Sequence, residues 1–273
     1  MCRRHARGDA PGRAGFLEGL ADLIDLHFHC LPGIDDGPAS WDDAVALCRA
    51  AAADGITSIV ATPHVLRENW INDDEGVRDE LVLKLNTLLG GKPAILPGCE
   101  YWFSAEVLDL LGPQGDEGAM GATGPVTRLN RSRYLLVEFP AGQVMESAEA
   151  VFHELSVLDI VPVIAHPERN MVLSRDPERL ARLMERGALS QVTAASVLGE
   201  FGARAQHATE EFLRLGLVSV IASDSHSVKV RPPRMTAARE KVRKHWGAEV
   251  EQALFVANPE AIVRSAPLPW PAA

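Results

Sequence analysis

Short apolar runs and amphipathic stretches alternate along this chain with enough regularity to predict its architecture. Strand-like runs fall at 23–28, 56–61, 94–99, 134–139, 161–165, 189–193 and 218–222. Helical patterns fall between them at 41–53, 75–89, 146–158, 176–186, 204–215 and 235–246. Strand and helix in alternation is the signature of βα units wound around a parallel sheet. The first helix carries its own punctuation: Ser40 with Asp43 forms a capping arrangement, and Gly55 closes the far end. Seven strands predict a closed or nearly closed TIM-like α/β barrel, and one domain over 21–273 suits a fold that commonly needs roughly 200 to 250 residues.

Two stretches stand outside the pattern. Residues 1–20 mix Arg3, Arg4, Arg7 and Arg13 with Gly and Pro and carry no apolar period, which predicts a disordered N-terminal extension. The glycine-rich stretch from Gly112 to Gly124 has no GxxxxGK[ST] pattern and follows no strand, so a surface loop is expected rather than a phosphate loop.

Composition narrows the partners. A formal charge of −10 excludes nucleic acid and an anionic membrane as broad-surface partners, because both require clustered Lys and Arg. No run approaches the roughly 18 apolar residues that a membrane span requires, and no secretory signal opens the chain, so a cytoplasmic location without membrane insertion is expected. Cys2, Cys30, Cys48 and Cys99 show no CxxC spacing; Cys30 and Cys99 are expected to be packing residues.

The chemistry sits at the ends of the apolar runs. Asp25-Leu26-His27-Phe28-His29 places two imidazoles at i and i+2, which share a face in an extended strand. Asp36, His64, Glu100, Glu138, His166, Asp224 and His226 all lie at or just beyond the C-terminal ends of predicted strands. Parallel barrels open that end onto one face, where the βα loops build the site. One histidine at a strand end is ordinarily a hydrogen-bonded structural residue, but nine such groups at equivalent ends defeat that explanation. Imidazole mixed with carboxylate suits Mn²⁺, Fe²⁺ or Zn²⁺. The donor count exceeds what one catalytic ion takes, so two or three ions are expected, with Mn²⁺ preferred. Arg169, three residues after His166, and Arg231, five after His226, present guanidinium forks suited to phosphate. His5, His153, His207 and His245 lie in the tail or on helical stretches and are expected at the surface; Lys229 and Arg234 have no assigned role.

These motifs, in this order, resemble the polymerase-and-histidinol-phosphatase (PHP) superfamily, and more narrowly the bacterial PHP-type tyrosine-protein phosphatases of capsule and exopolysaccharide regulation. The resemblance rests on Asp25 to Gly37, Ala61-Thr62-Pro63-His64, Leu136 to Pro140, Pro162 to Asn170 and Ala222 to His226, and spans about 23 to 265. It implies a distorted (β/α)7 PHP barrel with three metals. His27, His29, Glu100 and Asp224 would surround one ion; Glu100, Glu138 and His166 a second; Asp36, His64 and His226 a third. Arg169 and Arg231 fall where the family binds phosphate. Gly98-Cys99-Glu100-Tyr101-Trp102 departs from the pattern in its Cys and aromatics, which bears on substrate access.

The implied reaction is metal-dependent hydrolysis of phosphotyrosine, with water activated at the metals attacking phosphorus directly. The implied partner is a phosphotyrosine protein, the C-terminal tail of a bacterial tyrosine kinase. A cysteine-phosphatase route needs Cys-x5-Arg, and the residues six after the four cysteines are Gly8, Asp36, Asp54 and Ala105. A small-molecule phosphatase acting on histidinol phosphate or a nucleotide is the alternative within the superfamily, and a non-catalytic metal-binding regulator the alternative outside it.

Overall fold

The structure, a computed structural model, describes residues 23–111 and 124–270. The expected N-terminal extension, Cys2, His5 and nearly all of the glycine-rich stretch lie outside those residues. The strands are β1 (Leu23–Phe28), β2 (Ile56–Ala61), β3 (His64–Val65), β4 (Ala94–Pro97), β5 (Glu100–Trp102), β6 (Tyr134–Glu138), β7 (Val161–Ala165), β8 (Leu189–Thr193) and β9 (Val220–Ala222). Each of the seven expected apolar runs contains one of them, and the two short strands β3 and β5 fall outside those runs. All pairings are parallel. The helices are α1 (Trp41–Ala53), α2 (Glu75–Leu89), α3 (Val107–Leu111), α4 (Ala148–Val157), α5 (Pro177–Glu185), α6 (Ala194–Leu198), α7 (Ala203–Arg214), α8 (Met235–Trp246), α9 (Ala248–Gln252) and α10 (Asn258–Val263). Ser40 caps α1 as expected, accepting from the Asp43 amide at 3.2 Å.

The expected barrel closure is corrected by the strand pairing. Two sheets form, one ordered β1-β2-β4 and the other β3-β5-β6-β7-β8-β9. They arise because the ladder is interrupted just after β2 and again after β4, and resumes in the short strands β3 and β5. Thr62-Pro63 separates β2 from β3, and proline has no N–H to continue a ladder. Gly98-Cys99 separates β4 from β5, where Gly98 lies so close to β2 that a Cβ would meet Val60 Cγ1 at 2.7 Å. Between β1 and β9 there is only the isolated bridge Phe28 to Ser225, with the Asp224 amide donating to His27 O and the His29 amide to Ser225 O, each at 2.9 Å.

The breaks and the bridge lie at the C-terminal ends of the strands. Thr62 ties β2 to β1 there, its amide donating to Phe28 O and its hydroxyl accepting from the Phe28 amide, both at 2.9 Å. The main core lies between sheets and helices, with Phe28, Leu47, Ile59, Leu85, Phe152, Phe212 and Phe255 fully buried. A second apolar cluster joins Ile24, Leu26, Leu136, Val163 and Val220 of the strands to Leu129 and to Ile262 and Val263 of α10. No helix among the described residues is long and apolar enough to cross a membrane.

Candidate metal centre

The strand ends bring all nine predicted donors together. His27 ends β1 with Phe28, and His29 follows; both imidazoles are buried. Their Nε2 atoms face one another at 3.2 Å. Asp224 Oδ1 lies 3.2 Å from His27 Nε2, and Glu100 Oε2 lies 3.3 Å from His29 Nε2. Glu100, the first residue of β5, reaches His64 Nδ1 at 2.9 Å with Oε2 and His166 Nε2 at 3.1 Å with Oε1. Asp36, at the rim, lies 3.2 Å from His226 Nε2 and 3.4 Å from His64 Nε2. Glu138, the last residue of β6, is 3.6 Å from His64 and 3.8 Å from His166.

Four overlapping groups have donor atoms within 4.8 Å of one another: His29, Asp36, His64 and His226; His27, His29 and Asp224; His27, Glu100 and His166; and His64, Glu100 and Glu138. The first contains the implied Asp36, His64 and His226 set with His29 added, and the second contains His27, His29 and Asp224 of the implied four but not Glu100. Glu138 and His166, implied as partners around one ion, fall into separate groups that share Glu100. Two of the donors sit on left-handed backbone: His166 at φ +34 and Asp224 at φ +55. Side chains with a Cβ rarely adopt it, and here the chain turns at a strand end to aim each donor inward.

Three histidines have one ring nitrogen already committed. His27 Nδ1 lies 2.7 Å from Gln191 Oε1 on β8, His29 Nδ1 lies 2.7 Å from Asp35 Oδ2, and His226 Nδ1 lies 3.0 Å from the Asp224 carbonyl. A ring nitrogen facing such an acceptor carries the proton, which leaves Nε2 as the free donor atom. All three Nε2 atoms therefore point into the centre.

Electrostatics follow from burial and opposed charges. Burial works against a charge on His27, but Glu100 and Asp224 raise it to about 9. His64 is likewise raised to about 10, by Glu100, Asp36 and Glu138 against its burial. His166 and His226 fall to about 4, first through burial, then through Arg169 and His29 respectively. Glu138 is pushed up to about 7 by burial and by Glu100. Despite their burial, Asp224 is held well below the usual carboxylate range by His27 and Arg231, and Asp36 by His226 and His64.

Both predicted phosphate arginines are present, each donating to Asp224 Oδ2. The Arg169 guanidinium also lies over the Phe201 ring at 4.4 Å. Beside them opens a cavity of about 330 Å³, lined by Glu138, His166, Arg169, Phe139, Phe201 and Arg67 among others. Sequence reasoning missed Asp35, Gln191 and Arg67. Asp35 stood beside a chosen ligand, and Arg67 lies three residues after His64; Gln191 gave no signal beyond an amide in an apolar strand. Cys30 and Cys99 are buried as packing residues, and His153, His207 and His245 are exposed, as expected; Cys48 is buried as well.

Known proteins resemble this chain in sequence and fold. Tyrosine-protein phosphatase YwqE of Bacillus subtilis (strain 168) is 34% identical over 246 residues, covering 89% of this chain and 92% of the relative. Tyrosine-protein phosphatase CpsB of Streptococcus pneumoniae is 29% identical over 248 residues, covering 88% and 98%. A solved structure described under YwqE and CpsB as "unique metal-dependent tyrosine phosphatases" superposes with a TM-score of 0.82 at 34% identity, over 90% of this chain and 96% of the other. An organophosphorus hydrolase variant from Deinococcus radiodurans, at 14% identity and a TM-score of 0.55, shares the fold alone. The family model for capsular polysaccharide synthesis, CpsB/CapC, matches residues 23–264, and the chain belongs to that family.

Proposed function

We propose that this chain hydrolyses phosphotyrosine using divalent ions held by His27, His29, Asp36, His64, Glu100, Glu138, His166, Asp224 and His226. Arg169 and Arg231 take the phosphate. The observation that carries the reading is the pair of Nε2 atoms of His27 and His29 facing each other at 3.2 Å, with the buried Glu100 Oε2 beside them, 3.3 Å from His29 Nε2 and 2.9 Å from His64 Nδ1. Two nitrogen lone pairs and a carboxylate oxygen at such separations repel or stay unsatisfied unless a proton or a metal cation lies among them. The residues therefore fit metal.

Mixed imidazole and carboxylate donors suit Mn²⁺, with Fe²⁺ and Zn²⁺ as alternatives, and four overlapping groups support two or three ions. When bound, such ions supply Lewis acidity toward a phosphoryl oxygen and lower the pKa of water. The chain's own residues do the rest. Arg169 and Arg231 already converge on one carboxylate oxygen, the geometry that equatorial phosphoryl oxygens need. Phe139, Leu173 and Phe201 give the cavity apolar walls for an aromatic ring. Tyrosine leaves as a phenolate with a pKa near 10, so little proton donation is needed.

The substrate we propose is a flexible phosphotyrosine tail, that of a bacterial tyrosine kinase. The relatives' names as tyrosine-protein phosphatases and the capsular polysaccharide family support it. Kinase phosphorylation needs ATP, which puts the encounter in the cytoplasm. Phosphotyrosine peptide and histidinol phosphate should be compared across added Mn²⁺, Fe²⁺, Zn²⁺ and chelator at matched metal content. Peptide hydrolysis that depends on metal supports the reading; preference for histidinol phosphate, or indifference to chelator, overturns it. Arg169→Ala at full metal content should lose about 10- to 100-fold in kcat/KM. Unchanged hydrolysis would remove Arg169 from the clamp.

A further inference from the structure

Arg67 is held in the site with more constraint than a surface arginine needs. Its backbone closes a tight turn through Glu68 and Asn69: the Arg67 amide donates to Trp70 O at 3.1 Å and the Trp70 amide to Arg67 O at 2.9 Å. The Asn72 amide group pins that turn, donating to His64 O and to Ile34 O, both at 2.8 Å. The guanidinium lies over the Trp102 ring at 4.6 Å and near Trp70 at 5.3 Å, while Trp70 stacks on His64 at 5.1 Å. Its Nη1 donates to Glu138 Oε2 at 3.0 Å and sits 2.8 Å from His64 Nε2. Holding a long, rotamer-rich cation this firmly beside donors meant for metal opposes both side-chain entropy and metal loading.

Its position identifies a use. Arg169 and Arg231 converge on Asp224, whereas Arg67 converges on Glu138 and lines the same cavity as Phe139, Phe201 and Leu173. With the phosphoryl oxygens taken by the first two arginines, the cavity walled by Phe139 and Phe201 is the aromatic-lined place beside the centre for an aryl group, and Arg67 lines it. Resting on the phosphatase reading above, we propose that Arg67 is a catalytic residue on the leaving-group side, donating an N–H to the ester oxygen of an aryl phosphate. As the P–O(aryl) bond breaks, its electron pair stays on the phenolic oxygen, which Arg67 stabilises as phenolate. Water supplies the oxygen to phosphorus, one of its protons passes to solvent, and the phenolate takes a proton back. The products are the phenol and inorganic phosphate. Trp102, part of the atypical segment after Glu100, sets the height of the guanidinium. The substrate class this favours is the aryl monoester with a poor, high-pKa leaving group.

The test is a leaving-group series with the metal-loaded protein: aryl phosphates from an activated nitrophenyl ester to phenyl phosphate and a phosphotyrosine peptide. Wild type is compared with Arg67→Met, which keeps an unbranched stem on Trp102, and with Arg67→Lys. A charge-assisted hydrogen bond that forms only as the bond breaks predicts that Arg67→Met loses on the order of 10- to 100-fold on phosphotyrosine and much less on the nitrophenyl ester. Metal content should equal wild type, and Arg67→Lys should recover part of the loss. Equal losses on every ester, lost metal content, or no loss at all each overturn the proposal. Wild type that hydrolyses none of these esters in a metal-dependent way overturns the phosphatase reading itself, and is told apart because it appears before any substitution.

Discussion

Adding divalent metal to chelator-stripped protein should drive protons out of the site, and the number is set by the geometry. At pH 7 the metal-free protein carries a proton on His27, raised to about 9, and on His64, raised to about 10. Glu138, pushed up to about 7, is half protonated. His166 and His226, both near 4, are already neutral, and Asp36 and Asp224 are already ionised. Ligation requires neutral imidazole and ionised carboxylate, so full loading at pH 7 should release roughly two to three protons from His27, His64 and Glu138, and His29, raised by Asp35 against its burial, adds to that release. Raising the pH toward 9 empties Glu138 and half of His27 beforehand, and the release from His27, His64 and Glu138 should fall to about one or two. The sign follows: metal affinity should rise with pH through the neutral range, and below about pH 4 protonation of His166 and His226 adds to the competition. Calorimetric titration with Mn²⁺ in buffers of different ionisation enthalpy measures the released protons directly. A release near zero at pH 7, or one that grows between pH 7 and 9, would refute the assignment of His27 and His64 as ligands.

The groups that hold the ligand imidazoles can be tested without any substrate. Gln191→Leu and Asp35→Ala remove the acceptors of His27 and His29 Nδ1, and each should weaken metal binding about 10- to 100-fold in competition with a chromogenic chelator, with the fold retained. Phe152 is fully buried, edge-on to Phe103 at 5.7 Å and 6.0 Å from Phe139, a wall of the cavity. Phe152→Ala should cost about 3–5 kcal/mol, read as a lowered denaturant midpoint. Burial pushes the Cys99 thiol up to about 11, and the neighbouring Cys48, with burial, raises Cys30. Only on the order of 10⁻³ of Cys99 is thiolate at pH 8, so neither cysteine should be alkylated in native protein, while both should react after unfolding.

Much of the fold could be read from periodicity, and the failures have local causes. Runs such as 56–61, 161–165 and 189–193 became strands with unchanged bounds, and 41–53 and 75–89 became helices with theirs, because length, pattern and caps agreed. The run at 94–99 stops as a strand at Pro97 because Gly98 approaches β2 too closely for a regular strand to continue, and β5 begins beyond the run. The helices α6, α9 and α10 span five or six residues, too few for an amphipathic period to register. Closure failed as an expectation because it depends on how β1 meets β9, nearly 200 residues away, where Asp224 turns into left-handed backbone after three residues of strand.

By itself the sequence determined the set of donors and the face on which they gather. Parallel strands ending in His, Asp or Glu must deliver those side chains to one end of the sheet, whatever else the chain does. Tertiary structure alone decided what each donor can do there. Which nitrogen of His27 is free depends on Gln191, 164 residues away, and which cation lies against Glu138 depends on Arg67, 71 residues away. A lone pair, a proton and an ion pair are properties of neighbours, and only the folded chain supplies the neighbours.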